Sequence, residues 1–210
     1  MGGGLEAIIF RFVALLPALT FHEFAHAYSA YRLGDTTPKV DGRISLNPLA
    51  HLEPIGTLMI LFGPVGWAKP VRVNPYNFRH PERDLMISTA FGPLANLFQG
   101  ILCGVIFKVV LLATPNPADG PHILLRFLAM LVIINFALAM FNLLPIGPLD
   151  GHSVLPYFLP YKQKAAYHEF NTRYGMIVLI GLIALPLFTP VDILGYWLTP
   201  AWLLARVFIG

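Results

Sequence analysis

The chain has 210 residues, 56% of them hydrophobic and only 12% charged, with a mean hydropathy of +0.66. That balance excludes an ordinary soluble domain and reads as an integral membrane protein, and the recurrence of long apolar runs excludes a lone cleavable signal peptide as their explanation. The net charge of +3 does not argue for nucleic acid, because the basic residues are scattered through the links between apolar runs, where membrane topology accounts for them.

In chain order, the first apolar segment runs from about Leu5 to Leu33 and is long enough to span a bilayer even when tilted. The link Gly34 to Asp84 follows, punctuated by Pro38, Pro48, Pro54, Pro64, Pro70, Pro75 and Pro81. No continuous helix survives that spacing. Short alternating runs such as Val71, Arg72 and Val73 suit strands or a hairpin, while "IGTLMILFGPVGW" is apolar but too short to cross and reads as a dipping or interfacial loop. The second and third spans, about 85–113 and 123–144, are joined by "TPNPADGPH" and form an antiparallel helical hairpin. Cys103, the single cysteine, lies in the second run and reads as a small buried hydrophobe. A fourth span covers about 174–190, disturbed by Pro186 and Pro190, and 191–210 is either interfacial or an additional helix. The fold class is therefore an all-α polytopic bundle of about four transmembrane helices, with a Pro-rich loop or short β-hairpin region after the first. The whole of 1–210 reads as one membrane-embedded domain.

Orientation follows from lysine and arginine. The first link carries Arg32, Lys39, Arg43, Lys69, Arg72, Arg79 and Arg83, and the link after the third span carries Lys162, Lys164 and Arg173. Both links are expected on the cytoplasmic side. The segment "FHEFAH" then lies in the cytoplasmic half of the first span.

That segment holds the chemistry. On a helix His22 and His26 emerge on one face a turn apart and can ligate one ion, while Glu23 projects about 100° away, near a metal-bound water. This is the H-E-x-x-H arrangement, in which zinc acidifies its water and the glutamate takes the proton. A random chain of this length contains the motif on the order of once in a hundred or more. Intramembrane ionisable groups, at about 2.5 to 3.5 kcal/mol each, are seldom kept without a use. A catalytic zinc needs a third protein ligand. Asp150, in "FNLLPIGPLDGHSVL", follows the third run where Pro145, Gly147, Pro148 and Gly151 break the helix; it is either that ligand or the cap of a turn.

Three landmarks, "HEFAH", "GPLAN" and "NLLPIGPLDG", together with "GRISLNPLAHLEPIGT" and "GWAKPVRVNP", resemble the short prokaryotic branch of the site-2 protease family of intramembrane zinc metalloproteases. The resemblance covers most of the chain. It implies one catalytic zinc on His22, His26 and Asp150, Glu23 as general base, and cleavage of peptide bonds in or beside transmembrane segments of substrate proteins, in a prokaryotic plasma membrane. Asn142, eight residues before Asp150, matches the family asparagine that helps hold the substrate carbonyl or oxyanion; from the residues alone it serves equally as a helix-end hydrogen bond. Asn96, with Gly92 and Pro93, falls on the family's G-P-x-x-N motif, where close packing against the zinc-bearing helix is expected. His152 departs from the pattern, and its neighbourhood to Asp150 makes ligation by both awkward. The rival reading is a membrane zinc carrier or sensor, which has no need of Glu23 as a base. Substrate unwinding is required because helical carbonyls are bound internally; the link's extended runs could receive the opened segment by edge pairing.

Overall fold

The computed structural model describes residues 5–62, 66–114 and 122–210. Among them are eight helices: α1 (Leu5–Arg32), α2 (Thr37–Val40), α3 (Pro54–Phe62), α4 (Pro81–Ala113), α5 (His122–Asn142), α6 (Gly151–Val154), α7 (Tyr161–Phe188) and α8 (Ile193–Ile209), with short 3-10 turns at 48–50, 75–77 and 155–158. Four helices are long and apolar enough to cross a membrane: Ile8–Arg32, Pro81–Ala113, Ile123–Asn142 and Tyr161–Phe188. The protein is an all-α polytopic bundle.

The bundle is organised by stripes of small and polar residues at four-residue spacing. On α1 the buried positions include Ala14, Ala18, His22, His26 and Ala30. On α4 they include Gly92, Asn96, Gly100 and Gly104. A Cβ on Gly92 would overlap the His22 and His26 rings, one on Gly100 would strike Phe136 of α5, and one on Gly104 would strike Phe208 of α8. Small residues thus set how closely three helices approach α4, which is how helices associate where lipid is as apolar as leucine. The opposite face of α4 exposes Leu94, Phe98, Ile101, Val105 and Val109, a surface suited to acyl chains. Pro17, Pro93, Pro186 and Pro200 lie inside α1, α4, α7 and α8, as membrane helices tolerate.

Several boundaries differ from the sequence reading. The second membrane helix starts at Pro81 rather than 85, because proline suits the first helical turn and the Asp84 carboxylate accepts from the His80 N–H at 3.0 Å. The fourth starts at Tyr161 rather than 174; its first three turns are polar, which hydropathy misses, and Pro186 does not break it. Residues 193–209 are a helix that packs into the bundle through Ala201 and Ala205, with Trp197 Nε1 donating to Met140 O of α5 at 2.7 Å. The apolar stretch after Pro54 forms the nine-residue helix α3; residues 63–65 of that stretch lie outside the described residues. Most of the expected hairpin connection "TPNPADGPH", 115–121, also lies outside them.

No strand forms among the described residues. Of the Pro-rich loop or short hairpin expected in the link, the loop forms, an irregular strap in which charged side chains take the backbone partners that a neighbouring strand would supply. Asp35, fully buried, accepts from Thr37 N at 3.0 Å, Thr37 Oγ1 at 2.6 Å, Asn74 N at 2.8 Å and Asn77 Nδ2 at 2.7 Å. Arg43 donates to Ala50 O and Lys69 O. Pro70 and Pro75 remove two N–H donors from the segment that would have paired.

Candidate metal centre

His22 and His26 sit on the α1 stripe that faces α4. Their Nε2 atoms are 3.0 Å apart. Asp150 enters from the broken backbone after α5, with Oδ2 3.2 Å from His22 Nε2 and Oδ1 3.3 Å from His26 Nε2. It occupies the residue before α6 but its side chain makes no capping bond, so the carboxylate is used toward the imidazoles and not the turn. The turn folds closely enough because residue 151 is glycine: a Cβ there would overlap Leu143 O and Leu144 O. Among the described residues, His22, His26 and Asp150 are the group of donors close enough to share one metal ion.

The hydrogen bonds behind the rings fix which nitrogen carries a hydrogen. Asn96 Nδ2 donates to Ala18 O at 3.0 Å and to Asn135 Oδ1 at 2.9 Å, so the atom it turns to His22 is Oδ1, at 2.6 Å from Nδ1. Nδ1 of His22 therefore donates. Nδ1 of His26 lies 2.9 Å from the carbonyl of Ser88 and donates as well. In the neutral rings both Nε2 atoms then present lone pairs to each other and to Asp150, whose Oδ2 is buried without a hydrogen-bond partner. A positive charge at their common focus, a metal ion or a proton on one ring, reconciles these atoms. The separations of 3.0 to 3.3 Å match the edges of a tetrahedron with metal–ligand bonds of about 2.0 Å, which are about 3.3 Å. The residues fit zinc, with the second ring nitrogens anchored as metal-bound histidines require.

Glu23, one residue from His22 and largely buried, lines a cavity of about 850 Å³ that also meets both histidines, Asp150 and Asn142. Asn142 Nδ2 donates to Leu138 O at 3.0 Å, the helix-end bond, while its side chain stays at the cavity. His152 lines the same cavity but is held away from the donor group, stacked on Tyr167 at 5.7 Å and edge-on to His168 at 5.7 Å.

Sequence reasoning placed Asn96 in a packing motif and missed that it orients His22; it missed Asn135 altogether. The available signal was an asparagine on the buried face of an apolar helix, where an unpartnered amide is costly. It also passed over Arg43, which stands 3.7 Å from Glu23.

Comparison with known proteins shows the family. The profile of peptidase family M50 matches residues 118–184. The candidate zinc metalloprotease YwhC of Bacillus subtilis is 35% identical over 190 residues, covering 87% of this chain and 84% of its own. The candidate zinc metalloprotease Rip2 of Mycobacterium tuberculosis (strain H37Rv) is 33% identical over 179 residues, and that of Mycolicibacterium smegmatis 28% over 177; each match covers 81% of this chain and 65% of the relative. No solved structure matches. The chain belongs to peptidase family M50, the site-2 protease family of intramembrane zinc metalloproteases.

Proposed function

We propose that His22, His26 and Asp150 hold the catalytic zinc of this protease, that Glu23 is its general base, and that Asn142 steadies the substrate carbonyl. The observation that carries this reading is the convergence of three lone-pair donors at 3.0 to 3.3 Å beside a cavity that Glu23 lines. Zinc bound there would acidify a water and polarise a peptide carbonyl. Glu23 accepts the proton and delivers it to the leaving amide nitrogen. Asn142 has a second amide N–H beside the one given to Leu138, and that hydrogen is suited to charge developing on the carbonyl oxygen. Asn96 and Ser88 keep both imidazoles facing the focus.

The substrate is a membrane protein whose helix unwinds locally before attack. Segment 66–74, whose Val71 and Val73 line the cavity, receives the opened backbone by edge pairing; unchanged cleavage after Val71→Pro would count against that role. The site faces the cytoplasm of a prokaryotic plasma membrane, supported by the basic residues of the two links. The Lys164–Glu82 ion pair joins the first turns of α7 and α4. Residues 1–210 act as one domain.

The test compares wild type with Glu23→Gln in detergent, with zinc content and cleavage of single-span reporter substrates as readouts. Equal zinc with cleavage lost supports the reading. Zinc flux into vesicles that survives Glu23→Gln would favour the carrier, for which family membership gives no support.

A further inference from the structure

Arg43 ties the base to the cavity wall. It is 3% exposed and follows the turn after α2, where Gly42 adopts φ +68° and the Arg43 N–H bonds Pro38 O at 2.8 Å. From there its guanidinium reaches three separate segments. Nη2 lies 3.7 Å from Glu23 Oε2 on α1, Nη1 donates to Ala50 O, and Nη2 donates to Lys69 O, 26 residues away. The two carbonyl-bearing segments are themselves joined, since Lys69 N–H bonds His51 O at 2.8 Å. Lys69 is flanked by Trp67, Ala68, Pro70 and Val71, all of which line the cavity.

A buried guanidinium needs a counter-charge, which Glu23 supplies, and the same group also binds the two carbonyls. A planar fork that does both fixes their relative position. The distance of 3.7 Å to Glu23 exceeds the roughly 2.7–2.9 Å of a charge-assisted hydrogen bond, so Arg43 sets a positive charge beside Glu23 without a direct hydrogen bond to its oxygens.

We propose that Arg43 is a positioning residue for proteolysis: its guanidinium fixes wall segment 66–71 relative to the Glu23 carboxylate, so that a substrate backbone seated on the wall meets the base in register. The proposal rests on the reading of Glu23 as general base. Misplacement by about 1 Å is enough for a roughly 100-fold loss in rate, and lysine, a point charge on a flexible stem, cannot reproduce the fork.

The experiment uses the full chain in detergent and a single-span reporter selected for wild-type cleavage from a randomised transmembrane library. Bound zinc, kcat, KM and backbone hydrogen exchange are measured for wild type, Arg43→Gln, Arg43→Lys and Glu23→Gln. Arg43→Gln is expected to keep wild-type zinc, lose about 100-fold in kcat with a smaller change in KM, and exchange faster at 66–71 with α1 and α4 unchanged. Arg43→Lys regains part of kcat while the wall still exchanges fast. The proposal is overturned by Arg43→Gln with kcat within about three-fold of wild type, by unchanged exchange at 66–71, or by Arg43→Lys matching wild type in both. It is equally overturned by a kcat loss accompanied by lost zinc or a loosened α1, which would make Arg43 a residue of the fold alone. Cleavage retained in Glu23→Gln would refute the base assignment instead, a result the Arg43 variants cannot mimic.

Discussion

The helical contact of α1, α4 and α5 and the strap at 35–52 and 66–78 are both built around buried polar side chains, but they use them in opposite ways. In the helices the backbone is largely satisfied internally, so the Asn96 and Asn135 side chains are available to turn His22 toward the focus, while the Ser88 carbonyl accepts from His26. In the strap the backbone has no ladder, and Asp35 and Arg43 are taken up by stray N–H and carbonyl groups. Arg43 reaches both, binding strap carbonyls and standing beside Glu23 of α1, which makes it a joint between them. Regular structure frees polar side chains for chemistry, whereas irregular structure consumes them.

The comparison predicts where each region fails. The largest effect is expected from Gly92→Val, which drives side-chain atoms into both histidine rings and should abolish zinc binding, read as metal per purified chain. Next comes Asn96→Ala, which removes the acceptor behind His22 and should weaken zinc affinity about 10- to 100-fold in a chelator competition. Asn135→Ala, one bond further back, should weaken it less; the reverse order would break the proposed direction of the chain of amides.

The strap should respond in stability rather than in metal. Asp35→Ala leaves four donors without their acceptor and should destabilise the strap by about 1–3 kcal/mol, seen as faster hydrogen exchange at 36–39 and 72–77 with zinc content unchanged. A smaller effect concerns pH. Burial, reinforced by the charge of Arg43, outweighs the bond to Ser45 O and the Glu23 carboxylate and holds the His51 pKa below its ordinary value. Its folded pKa is thus lower than its unfolded one, so the stabilising contribution is complete above about pH 6.5 and is lost as pH falls through the lowered value. Exchange at 44–52 should therefore quicken on mild acidification, and His51→Gln, which can still donate to Ser45 O, should flatten that dependence.

What the sequence made legible follows the same division. His22, Glu23 and His26 are legible because their geometry is local: four residues on a helix place two rings together whatever surrounds them. The apolar spans are legible for the same reason, a bilayer imposing one length on each. Asp150 was reachable as a candidate because broken backbone at membrane depth is tolerated mainly where it is buried in protein or lines a cavity. The strap was not, since alternation at Val71 to Val73 is a local signal for a strand, and whether a strand forms depends on a partner. Here Asp35 and Arg43, distant in sequence, supply the bonds that a partner would have made. The early start of α7 was hidden because its polar first turns extend beyond the apolar run that marks a span.

The central claim is that two imidazoles and one carboxylate hold the metal. Zinc K-edge X-ray absorption on the purified protein tests it most directly, with Asp150→Ala and His152→Ala alongside. The prediction is a spectrum with two imidazoles and oxygen donors, unaltered in His152→Ala and lost or severely depleted in Asp150→Ala. A third imidazole in the wild-type spectrum, or zinc that survives Asp150→Ala but not His152→Ala, would contradict it.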